Sequence, residues 1–151
     1  MVISIRRSRP DEGDKLIAIW CRSVDATHDF LSKAYRKELE EMVRAFLPEA
    51  PLWVAVNTED QPIAFMLLTG DHMDALFVDP DVRGCGVGRL LIEHALSLTP
   101  KLTTNVNEQN EQAVGFYQRM GFRVTGRSET DDLGQPYPLL NLMYEQQAEA
   151  D

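Results

Sequence analysis

Cysteine is scarce in this chain. Two occur in 151 residues, Cys21 and Cys85, and no CxxC is present. A disulfide framework needs more, so a reduced, cytoplasmic setting is expected. No stretch approaches the roughly 18 consecutive apolar residues of a membrane span. The opening "MVISIRRSRPDEGDK" has no apolar h-region, so no signal peptide is expected. Basic charge is in deficit, with a formal net charge of −9. That opposes binding to nucleic acid, which needs clustered Lys and Arg, and suits a cationic substrate. His28, His72 and His94 show no ligand spacing, so no metal is expected. Internal repeats are lacking as well.

What is present is enough for a core. The 44% hydrophobic content and the length suit one domain, set at residues 1–145, with a polar acidic tail over 146–151. "VISIRR" alternates as a strand does. Pro10, Asp11 and Glu12 open a helix carrying Leu16, Ile17, Ile19 and Trp20, and "SVDATHDFLS" interrupts it. A second helix from about Ser32 has Tyr35, Leu39, Met42, Val43 and Phe46 at helical steps and ends before Pro48. Strands follow at "LWVAV", "IAFMLLT" and "HMDALFV". After a glycine-rich stretch comes a helix with Leu90, Leu91, Ala95 and Leu98 on one stripe. "KLTTNV" is a strand, and "NEQNEQAVGFYQRMGF" is a helix whose inner face is Ala113, Phe116, Tyr117 and Met120, with Gly121 at its C-cap. "RVTGRSE" and "LLNLMYE" close the series. The order β-α-α-β-β-β-α-β-α-β-β predicts an α/β fold with a mixed sheet. It has an antiparallel meander, one parallel pair across residues 73–106, and helices on both faces.

The glycines of "DVRGCGVGRLLIEHAL" stand at every second position, Gly84, Gly86 and Gly88, at the mouth of a helix. A dinucleotide fingerprint would require glycine where Arg89 stands, and a phosphate-binding P-loop would require Lys followed by Ser or Thr. A plain turn needs one glycine or two. Three leave a run of uncovered backbone N–H groups at the positive end of a helix, which is suited to a pyrophosphate.

Arg83-Gly84-Cys85-Gly86-Val87-Gly88 resembles the R/Q-x-x-G-x-G/A loop of the GNAT superfamily of N-acetyltransferases. "ALFVDPDVRGCGVGRLLIEHAL" is similar to that superfamily's motif A throughout. Asn110, Ala113, Phe116, Tyr117, Gly121 and Phe122 resemble its motif B. The resemblance is to the bacterial single-domain type. It implies about seven strands, with the fourth and fifth splayed to admit acetyl-CoA. It also implies backbone contacts to the pantetheine from Leu76, Phe77 and Val78, and a pyrophosphate held by Arg83, Gly84, Cys85, Gly86, Val87, Gly88 and Arg89. Arg89 could instead be a solvated helix residue.

The chemistry the resemblance implies is attack by a neutral amine on the thioester, with strand-four amides polarising the carbonyl. Tyr117 matches the tyrosine that protonates the thiolate; without the motif it would read as a core tyrosine. Asn110 would hydrogen-bond the cofactor or cap its helix. The base is open. Many relatives carry a glutamate on strand four, where this chain has His72 and Asp74. Asn105 could hold a relaying water, or satisfy buried backbone; an amide is not itself a base. His28 could serve as base or as a loop histidine. The expected partners are acetyl-CoA and an amine acceptor: protein lysine, a protein N-terminus or a small amine. No nucleic acid and no membrane are expected, and the protein would be a monomer or homodimer. A CoA-binding sensor that has lost turnover is the alternative.

Overall fold

The computed structural model describes residues 2–145; the expected tail over 146–151 lies outside the described residues. Strands β1 (Ser4–Arg7), β2 (Trp53–Val56), β3 (Pro62–Thr69), β4 (His72–Val78), β5 (Thr103–Asn107), β6 (Phe122–Ser128) and β7 (Leu139–Tyr144) form one sheet in the order β1-β2-β3-β4-β5-β7-β6. β1 to β4 make the antiparallel meander, and β4 and β5 are the parallel pair. The helices are α1 (Gly13–Thr27), α2 (Lys33–Phe46), α3 (Val87–Leu98) and α4 (Glu111–Met120).

Two apolar layers cover the two faces of the sheet. On one, Leu16, Ile17, Trp20 and Val24 of α1 pack with Leu52, Val54 and Phe65. On the other, Val87, Leu91, Ile92 and Ala95 of α3 and Tyr117 of α4 pack with Met66, Met73 and Leu142. Burial at this density holds the sheet between its helices and fixes the strand register.

Three helix readings change. The buried stripe of α3 is Val87, Leu91, Ile92 and Ala95. Leu90 and Leu98 are 38% and 56% exposed, because the i, i+4 row that begins at Val87 faces the sheet. On α2, Met42 and Phe46 are exposed for the same kind of reason, and Tyr35 alone is fully buried. α1 runs on to Thr27, halfway into the stretch expected to break it, since Ser23 and Val24 remain buried against the sheet. It stops where the His28 N–H donates to the Val24 carbonyl at 2.7 Å.

One buried charge ties the N-terminus to this frame. Glu12 is 4% exposed and accepts both Arg6 guanidinium nitrogens, at 2.9 and 2.7 Å, and the Arg9 N–H at 2.8 Å. The hydrogen bond from Arg6 holds its carboxyl below the usual carboxylate range, against the opposing effect of burial. A depressed folded-state pKa contributes stability that is present above the unfolded pKa of about 4.3 and is lost as pH falls below it. Glu12→Gln is expected to cost about 2–3 kcal/mol in urea unfolding at pH 7, and less than half of that near pH 3. A cost independent of pH would refute the ion-pair account.

Candidate active site

The sheet opens between β4 and β5. The two strands are registered at His72–Thr103 and Met73–Thr104 and nowhere further along. On its other edge β4 stays paired with β3, where Leu67 faces Ala75 and Leu68 faces Met73. Asp74 is therefore one residue too many on β4, a β-bulge. A bulge bends its strand and sharpens its twist. Beyond it, the β5-facing N–H and C=O groups of Leu76 and Val78 have no strand partner, whereas those of Phe77 face β3, in the alternation that continues to the Asp79 N–H on the Ile63 carbonyl at 2.9 Å.

The glycine loop closes one end of this gap. Asp79 caps the turn at Pro80–Val82 by accepting the Asp81 N–H at 3.0 Å, and it also pairs with Arg22 of α1. Gly84 and Gly86 have φ of +83° and +82°. A Cβ added at either would meet nothing within 4 Å, so both amides border open space. Gly88 differs: its φ is ordinary, and a Cβ there would stand 3.3 Å from Phe116. It lets α3 and α4 approach each other. α3 begins after Gly86, and its first intrahelical bond runs from the Leu90 N–H to the Gly86 carbonyl at 3.1 Å. That leaves the amides of Val87, Gly88 and Arg89 at the positive helix end without helical partners. A side-chain-free loop with three spare amides fits a pyrophosphate.

A cavity of about 550 Å³ fills the gap. Of the residues expected in the site, Leu76, Phe77, Val78, Arg83, Gly84, Gly86, Val87, Gly88, Arg89, Asn110 and Tyr117 line it; Cys85 and Asn105 do not. Asn105 is half-buried and stands opposite Asn141 in the β5–β7 ladder. Cys85 is a free, exposed cysteine. Asn110 accepts the Ala113 N–H at 3.2 Å, so it caps α4, and it faces the cavity as well. Arg89 lines the cavity and also pairs with Glu93 at 3.5 Å.

Tyr117 is buried, with edge-on contacts to Phe116 and Phe122 at 5.4 Å each. Burial pushes its phenol well above the ordinary value, so it stays protonated through neutral pH. Thr104 gives its own proton to the Met73 carbonyl at 2.9 Å.

Two of the suggested bases fall outside the cavity lining. His72 bonds to the Thr103 hydroxyl at 2.8 Å, and Asp74, at the bulge, is exposed and accepts from Thr69. His28, by contrast, lines the cavity together with Ser23 and Thr27 of α1. Sequence reasoning also missed Gln112 and Arg119 on α4. These stand one helical step either side of Phe116, so the period of α4 was the signal for them. Nothing local signalled Ser23 and Thr27, which reach the gap through the packing of α1 on the sheet.

The fold, the splayed strands and the amide-lined loop define an acetyltransferase. A family model for the acetyltransferase (GNAT) domain matches residues 12–136, and the chain belongs to that superfamily. It is an N-acetyltransferase that takes its acetyl group from acetyl-CoA. It is 79% identical over 144 residues to the peptidyl-lysine N-acetyltransferase YjaB of Escherichia coli (strain K12), covering 95% of this chain and 98% of that protein. To the protein of the same name from Salmonella typhimurium it is 76% identical, covering 95% and 99%. The solution structure of apo-form YjaB from Escherichia coli matches with a TM-score of 0.93 over 95% of this chain and 98% of that one. A PaiA N-acetyltransferase from Thermoplasma acidophilum in complex with coenzyme A, 18% identical, shares the fold with a TM-score of 0.78 over 97% and 100%.

Proposed function

We propose that residues 1–145 form one catalytic domain that acetylates peptidyl-lysine, by direct attack of the neutral side-chain amine on acetyl-CoA in a ternary complex. The observation that carries the acceptor is the 79% identity, along nearly the whole chain, to a protein named for that activity. The gap between β4 and β5 supports the mechanism, since donor and acceptor can occupy one continuous cavity bounded by α1, α3 and α4.

In this reading the amides of Val87, Gly88 and Arg89 hold the pyrophosphate, and Gly84, Cys85 and Gly86 supply a loop with little side-chain cover. Arg83 and Arg89 add positive charge. Leu76 and Val78 offer unpaired backbone to the pantetheine amides as an added strand would receive it, and Phe77 lines the same cavity. A β4 N–H polarises the thioester carbonyl, and its hydrogen bond strengthens as negative charge develops on oxygen. Tyr117 donates its phenolic proton to the departing thiolate. Asn110 keeps its amide NH₂ for the cofactor while its oxygen caps α4. Asn105, which does not line the cavity, acts only through a bound water.

The test is acceptor profiling by mass spectrometry. Peptides with one internal lysine and a blocked N-terminus should gain one acetyl group, at kcat/KM at least about 10-fold above spermidine, a difference of about 1.4 kcal/mol in transition-state binding. A preference for free N-termini or polyamines would overturn the acceptor. Tight CoA binding with no thiol released on any amine would leave a CoA-binding sensor.

A further inference from the structure

The reaction has one proton still without a destination. The thiolate takes a proton from Tyr117, but the nitrogen must also shed one as it becomes an amide. Among the described residues the cavity lining contains no Asp, Glu, Lys or Cys side chain. Its charged residues are Arg83, Arg89 and Arg119, and guanidinium groups do not accept protons. Among the described residues lining the cavity, His28 is the one side chain whose ordinary pKa lies near neutrality.

The tautomer of His28 follows from its neighbours. The Thr27 hydroxyl lies 2.8 Å from the Ser23 carbonyl, which can accept but not donate, so the hydroxyl proton points there. The same oxygen is 2.7 Å from His28 Nδ1. With its one proton already given, Thr27 Oγ1 can only accept, so Nδ1 carries the imidazole proton and Nε2 carries the lone pair. Phe30 supports the ring at 5.3 Å. Phe30 in turn contacts Tyr137 at 6.1 Å, and Tyr137 stacks on Tyr35 at 5.2 Å. The Tyr137 hydroxyl accepts the Ser32 N–H at 3.0 Å, which ties the α1–α2 connection to the loop before β7. The histidine is thus fixed on both sides.

We propose that His28 is the general base of the reaction and that its Nε2 takes the proton shed by the attacking amine; this rests on the acetyl-transfer reading above. Burial lowers the affinity of the ring for a proton, offset in part by the Asn107 side chain on β5 and by the Asp29 carboxylate. The ring is therefore neutral at pH 7 and ready to accept. As the lysine nitrogen bonds to the thioester carbon, its proton passes to Nε2. The C–S bond then breaks and the thiolate takes the Tyr117 proton. The imidazolium returns its proton to solvent and the phenolate regains one. Neutral amine and thioester thus become amide and thiol with no net change in protons.

The experiment compares the wild type with His28→Gln and His28→Ala, using whichever amine the wild type acetylates. His28→Gln should lower kcat about 10²-fold, within the usual span for a general base, and leave the Kd for acetyl-CoA within about twofold. Wild-type kcat should fall on the acid side, below the ordinary histidine value of about 6.5, as the ring protonates, and the variant should lack that limb while sharing the rise that comes with deprotonation of the amine. Added imidazole should restore part of the rate to His28→Ala, and melting temperatures check that both variants fold. A kcat within about threefold of wild type would overturn the proposal. So would a loss of kcat with an unchanged pH profile and no imidazole rescue, which would assign His28 to support of the α1–α2 connection. Wild-type failure on lysine peptides with turnover of another amine would sink the acceptor reading and leave the His28 comparison intact. Failure on every amine would overturn both.

Discussion

Tyr117→Phe is expected to lower kcat by about 10²-fold or more, with the Kd for acetyl-CoA almost unchanged. The substitution removes one oxygen and keeps the ring. The edge contacts to Phe116 and Phe122 at 5.4 Å survive, so the interface of α4 with the sheet is preserved. Thr104 loses a neighbour but keeps its own bond to the Met73 carbonyl at 2.9 Å. The stability cost should therefore stay within about 1 kcal/mol, the usual net worth of one hydrogen bond. What disappears is the proton for the thiolate. Burial raises the phenol's pKa, so the wild type should show no fall in kcat on the alkaline side at the ordinary tyrosine value of about 10. Turnover within threefold of wild type in Tyr117→Phe would remove the acid role. Steady-state thiol release between pH 6 and 10, with calorimetry for the donor, makes the measurement.

Gly86→Glu acts on the donor instead. Gly86 sits at φ +82° and precedes the first residue of α3. A side chain there meets no atom within 4 Å, so the glutamate would extend into the space bordered by the free amides of Val87, Gly88 and Arg89. Its carboxylate would satisfy the helix dipole that otherwise attracts phosphate, and it would repel the incoming anion. Acetyl-CoA affinity should fall at least about 100-fold, or about 2.7 kcal/mol. Forcing a non-glycine residue into left-handed geometry costs about 1–2 kcal/mol, too little to unfold a domain of this size. Gly86→Ala carries that strain without the charge and should lose much less affinity. Calorimetry that finds equal losses in the two variants, or none in the glutamate, would refute a phosphate cradle.

The two glycines of positive φ and the one of ordinary φ also mark the limit of what a motif carries. Alternate spacing at 84, 86 and 88 is legible in the sequence as a candidate anion loop. The separate duty of Gly88, letting Phe116 approach α3, was not, because it depends on a residue 28 positions away. The stripe on α3 failed in the same way. Leu90 and Leu98 are as apolar as Leu91, and period alone cannot say which row a sheet will cover.

Local pattern determined a good deal by itself. The element order, the alternate glycines before α3 and the inward row of α4 with Tyr117 on it follow from periodicities and backbone preferences that act within about a dozen residues, and the parallel pair follows from the strand-helix-strand order. The tertiary structure decided the rest. The bulge at Asp74 opens β4 from β5, and it is visible as a mismatch between two strands rather than as a signal in one. The same opening leaves His72 and Asp74 outside the cavity and admits Ser23 and Thr27 of α1, with His28 just beyond its end, from some 50 residues earlier. His28 lies just after α1, and its tautomer is fixed by Thr27. No sequence period encodes its arrival at the gap, because that depends on how α1 packs across a sheet whose twist the bulge has sharpened.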